Sequence, residues 1–118
     1  LILGKEIKVP PQEPSLTLDK DTIESIQNAQ QAIYMGLLAY QSSDYAQAVE
    51  FLSQGLDVEF DYWRCHIYLA MAYYQTGMVV KSAKEFSYIL NWCPNQNLRN
   101  KAMKALKAME PDLNPPAQ

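Results

Sequence analysis

The chain has one histidine, two cysteines and four scattered glycines, and each scarcity excludes a class of function. A lone histidine leaves little from which to build acid–base catalysis. Four separated glycines cannot form a phosphate cradle, and no GxSxG, HExxH, P-loop or dinucleotide fingerprint occurs. The expectation is a protein that is not an enzyme and carries no cofactor. Cys65 and Cys93 are too few for a disulfide framework. No apolar run approaches the ~20 residues that a membrane-spanning helix needs. The opening LILGKEIKV lacks the basic and apolar regions of a signal peptide and is expected to be an internal cut or a processed start. Together these features lead to the expectation of a soluble chain in the cytoplasm or another reducing compartment.

Positive charge is also sparse where nucleic acid would need it. Residues 1–80 carry four Lys/Arg against ten Asp/Glu, and residues 81–118 carry six against three. Phosphate-backbone binding requires a dense basic surface, so a nucleic-acid partner is not expected. Aliphatic and aromatic residues, at 48%, are enough for a packed core, and 118 residues suit one domain.

Pro10, Pro11 and Pro14 bias the start toward an extended linker, so residues 1–18 are expected to be a tail. Ile23, Ile26, Ile33, Leu37 and Tyr40 then recur at helical spacing, predicting a helix over 20–41 that begins at Asp19 or Asp21. Ser42, Ser43 and Asp44 break it, with Asp44 placed to cap a second helix over 45–56. Asp61 is placed to cap a third over 63–75, which Thr76 and Gly77 close. A fourth helix is expected over 78–92, stopped by Pro94, and a fifth over 98–109, stopped by Pro111. The fold class is therefore all-α, built of antiparallel hairpins.

A shift of 34 residues pairs Ile33 with Ile67, Tyr34 with Tyr68, Tyr40 with Tyr74, Gln41 with Gln75, Ser53 with Ser87 and Leu56 with Leu90, all identities. Small residues recur at Gly36 and Ala70, where two helices of a hairpin must approach closely. Gly77 and Pro94 fall on the second unit's turn and end. Ser43 and Phe60 stand at those places in the first. This helix–turn–helix period resembles the tetratricopeptide repeat, as two degenerate units at about 29–62 and 63–96 with a cap helix at about 97–110. A helical domain over 19–110 and a tail over 111–118 complete the division. The resemblance implies a short right-handed solenoid that binds proteins, its first helices lining a groove that holds a peptide or helix.

The groove places so implied are Gln30, Ile33, Leu37 and Tyr40, then Arg64, Ile67, Met71 and Tyr74, six of the eight apolar or aromatic. Tyr40 and Tyr74 are expected side by side on one face. The Lys, Asn and Arg set with which some members hold a chaperone's C-terminal carboxylate is replaced here by Ile33, Leu37 and Met71, leaving only Arg64. The expected partner is another protein or peptide. The alternatives are a structural or homo-oligomerising segment of a larger protein, whose own chain fills the groove, and a helical RNA reader. Cys65, His66 and Cys93 could be drawn together by hairpin geometry, but buried packing is the commoner use of such cysteines, and no metal is expected. The acidic connection around Phe60, Tyr62 and Trp63 reads as a solvated loop. Lys101, Lys104 and Lys107 read as a solvated helix face.

Overall fold

The computed structural model describes residues 19–114; the expected N-terminal tail and residues 115–118 of the expected C-terminal one lie outside them. Five helices occupy the described residues: α1 (Lys20–Gln41), α2 (Tyr45–Val58), α3 (Trp63–Gln75), α4 (Val79–Trp92) and α5 (Gln96–Leu113). No strand occurs among them, so the all-α expectation holds. α1 and α3 have the anticipated bounds.

Capping explains most starts. The Asp19 carboxylate accepts the Thr22 N–H at 2.7 Å, and that bond holds the acid below the usual carboxylate range. Asp44 accepts from Gln47 N–H at 3.3 Å and Asn95 from Leu98 N–H at 3.0 Å. Asp61 departs from expectation. Tyr62 is the N-cap of α3 with no side-chain bond, and Asp61 accepts the Trp63 N–H through its backbone carbonyl at 3.0 Å. α4 begins one residue later than expected. α2 runs two residues beyond the expected end. α5 extends through Pro111 to Leu113, because a proline in the last turn forgoes one ladder bond without blocking many. Asn114 N–H then closes the helix on Glu110 O at 2.8 Å.

The two tight turns are copies of one another. Ser43 N–H meets Tyr40 O at 2.9 Å and Asp44 N–H meets Ala39 O at 2.8 Å; Gly77 N–H meets Tyr74 O at 3.0 Å and Met78 N–H meets Tyr73 O at 2.9 Å. Both turns need a left-handed residue, supplied by Ser43 at φ 62° and Gly77 at φ 84°. Only the second uses the residue that adopts this conformation without steric cost.

Each helix packs on the next, and α3 also touches α1 and α5. Leu69 and Ala72 of α3 join Ile33, Ala48, Leu52 and Leu56 in one core; Ala70 joins Phe86, Ile89, Cys93, Leu98, Ala102 and Met109 in the other. α3 is thus the shared wall. Gly36 is the contact point of α1 on α2: a Cβ there would stand 2.6 Å from Leu52 Cγ. In the second hairpin the fully buried Ser82 hydroxyl donates to Ala70 O at 2.7 Å, satisfying a polar group that would otherwise be costly to bury.

Candidate binding groove

Arg64, Ile67, Met71 and Tyr74 recur at helical spacing along one face of α3. Lys101, Ala105, Ala108 and Asp112 do the same on α5. Because α3 and α5 touch, the two stripes form facing walls. Between them lie two recesses of about 460 and 260 Å³ that share Met71, Phe86 and Ala105. Arg64, Ile67, Tyr68, Leu98 and Lys101 complete the first. Tyr74, Gln75, Ala108 and Met109 complete the second. The floor is apolar, since Phe86, Leu98 and Met109 are buried, and the small Ala105 and Ala108 leave room above it.

The two ends differ chemically. Arg64 and Lys101 put two cations at one end, and both are exposed. At the other, the Tyr74 hydroxyl donates to Asp112 Oδ2 at 2.8 Å and ties α3 to α5. That bond, foremost, raises the Tyr74 pKa.

The eight predicted groove residues divide. Arg64, Ile67, Met71 and Tyr74 line the α3–α5 groove. Leu37 and Tyr40 line a separate recess of about 440 Å³ with Gln41 and Tyr68. Ile33 is a correction: it is 5% exposed and packs in the first core against Gly55. Gln30 is exposed but donates to the Tyr62 hydroxyl at 3.1 Å, apart from either recess. Tyr40 and Tyr74 also depart from expectation. Tyr40 stacks edge-on with Tyr45 and Tyr68, at centroid distances of 5.3 and 5.1 Å, and its hydroxyl donates to Met71 Sδ at 3.8 Å. Tyr74 turns instead to Asp112.

The contribution of α5 was missed. Its lysines are expected on a solvated face, and all three are exposed, yet Lys101 also lines the groove. The available signal was the run of small residues beside those lysines, Ala102, Ala105 and Ala108.

His66 and the cysteines serve packing. His66 is buried; Nδ1 is paired with Glu85 Oε2, and Nε2 lies 2.7 Å from Phe60 O. Trp63 and Tyr88 flank the ring at centroid distances of 5.2 and 5.4 Å. Cys65 packs against the first core and Cys93 belongs to the second, so no Cys–His–Cys cluster forms. Both thiols are free, and burial raises the Cys65 pKa, which disfavours a reactive thiolate.

Comparison with known proteins finds no family model, no curated protein and no solved structure that matches the chain.

Proposed function

We propose that the chain is a protein-binding module of tetratricopeptide type, and that the α3–α5 groove holds a short peptide or helix of another protein. The observation that carries this reading is the apolar trough between two helix stripes, with recesses of about 460 and 260 Å³ joined through Met71, Phe86 and Ala105. Support for the repeat comes from the two turns, whose hydrogen bonds recur at a spacing of 34 residues, and from the paired small positions Gly36 and Ala70. A short right-handed solenoid, with α1, α3 and α5 along one side and α5 as the third helix of that series, accounts for the contacts of α3 with both odd-numbered neighbours.

The occupant that fits is a segment with two or three apolar side chains, for Met71 and the alanine wall, followed by a carboxylate that meets Arg64 and Lys101. An RNA reader is disfavoured, because the trough is apolar and only two cations flank it. The test is a panel of synthetic peptides with apolar anchors, with and without a terminal acidic residue, titrated against protein carrying isotope-labelled methionine and alanine methyls. Binding should shift the Met71, Ala105 and Ala108 signals, and Arg64→Ala should weaken the acidic peptides selectively. Shifts confined to other surfaces would refute the assignment.

A further inference from the structure

We infer that the outer face of α1 is a homodimer surface, on which a second copy of the chain lays its own α1 in antiparallel orientation. The internal repeat supplies the argument. Shifted by 34 residues, Met35 falls on Leu69 and Leu38 on Ala72. In α3 that face is covered by α2, and Leu69 and Ala72 are 3% and 0% exposed. In α1 the equivalent Met35 and Leu38 are 39% and 41% exposed, and Tyr34 beside them is 59% exposed. α1 therefore carries a helix-packing face for which the described residues supply no helix. Grouped apolar exposure of this kind marks a contact surface.

The same chemistry selects a second copy as the occupant. Stacking head to tail is closed, because the α4 face that corresponds to the covering face of α2 already carries α5. What a second copy can offer is its own α1, and that helix is self-complementary. No charged residue stands between Glu24 and Asp44, so an antiparallel pair brings no like charges together along its centre. With Ile23, itself 41% exposed, opposite Leu38 of the second copy, the same register sets Gln27 against Tyr34. Apolar residues meet apolar ones toward both ends, and the glutamines Gln27, Gln30 and Gln31 near the middle have donors and acceptors for one another. The register repeats itself under a two-fold axis, as a closed dimer requires. α3 and α5 take no part, so the dimer leaves the peptide groove open.

An interface of one helix per protomer is small, below ~1,200 Å² in total, and belongs to the weak class. Sedimentation of the full chain should therefore show a monomer–dimer equilibrium across the micromolar range. Leu38→Glu should raise the dissociation constant roughly tenfold or more without altering the far-ultraviolet spectrum, since the side chain is exposed. For orientation, Ile23→Cys protein mixed with Leu38→Cys protein should form the mixed disulfide faster than either variant forms its own. A monomer at every concentration, a dimer indifferent to Leu38→Glu, or predominance of the 23–23 and 38–38 links would overturn the inference. Amide protection in residues 1–18 that Leu38→Glu abolishes in a monomeric chain would also overturn it, by assigning the face to the N-terminal segment.

Discussion

Ser43 and Gly77 do the same work with different side chains. The left-handed conformation brings the Cβ of a non-glycine residue close to the carbonyl oxygen and costs on the order of 1 kcal/mol. Ser43→Gly should therefore stabilise the chain by roughly 0.5–1 kcal/mol, offset in part by the greater freedom of glycine when unfolded. A denaturant midpoint raised without a change of slope is the expected result. Gly36→Ala should do the reverse. Alanine gains about 1 kcal/mol of helix propensity, but its methyl would press on Leu52 Cγ and on the Leu52 backbone N, 3.0 Å away. Overpacking of this kind costs about 1–3 kcal/mol, so a net loss is expected in the same denaturation experiment. His66 presents a third case. Its two ring nitrogens meet Glu85 Oε2 and the Phe60 carbonyl, whereas His66→Phe keeps a ring and leaves both oxygens without that partner. About 2–3 kcal/mol should be lost, visible as a lowered melting temperature.

At the scale of elements, the spacing of apolar residues and turn residues made α1 and α3 legible to the residue, and the 34-residue echo located both tight turns. The remaining boundaries depended on local choices that a pattern does not carry. Asp61 looks like a cap, but the chain uses its carbonyl, and Asn95 is the side chain that caps α5. Pro111 looks like a stop, but a proline in a final turn has little ladder left to break. Ile33 is the instructive error in the groove. The resemblance to a repeat implies a groove place for it, yet Gly55 opposite it has no side chain, and the vacancy draws Ile33 into the core.

The tyrosines along these helices also set an alkaline limit. Burial, then Tyr45 and Tyr68, raise the Tyr40 pKa; burial, then Glu85 and Asp57, raise that of Tyr73. With the folded value above the unfolded one, the folded chain retains its phenolic protons longer. Stability is then complete below about pH 10 and falls as pH rises through the folded values. Melting temperature followed between about pH 9 and 11 should show this loss, and Tyr40→Phe should reduce it.

For the whole molecule, Arg64, Ile67, Met71 and Tyr74 of α3, which line the two recesses, stand among the groove places expected from sequence, and the α5 residues do not. Resemblance to a repeat supplies positions within each unit, but α5 belongs to neither unit, and its lysines concealed the alanines that make it a wall. The electrical lopsidedness of the chain acquires a local meaning here. The basic C-terminal part contributes Lys101 beside Arg64, while the acidic part leaves the rest of the surface unsuited to phosphate. The central claim is that this trough receives a partner segment. Its most direct test is a calorimetric titration of wild-type protein and Met71→Glu with the tightest peptide from the acidic, apolar-anchored panel, after thermal melts establish that the variant is folded. The account predicts saturable binding to the wild type and its loss in a Met71→Glu protein whose melting temperature stays close to the wild-type value, since Met71 is 38% exposed. Equal affinity for both proteins, or a Met71→Glu chain that has unfolded, would contradict it.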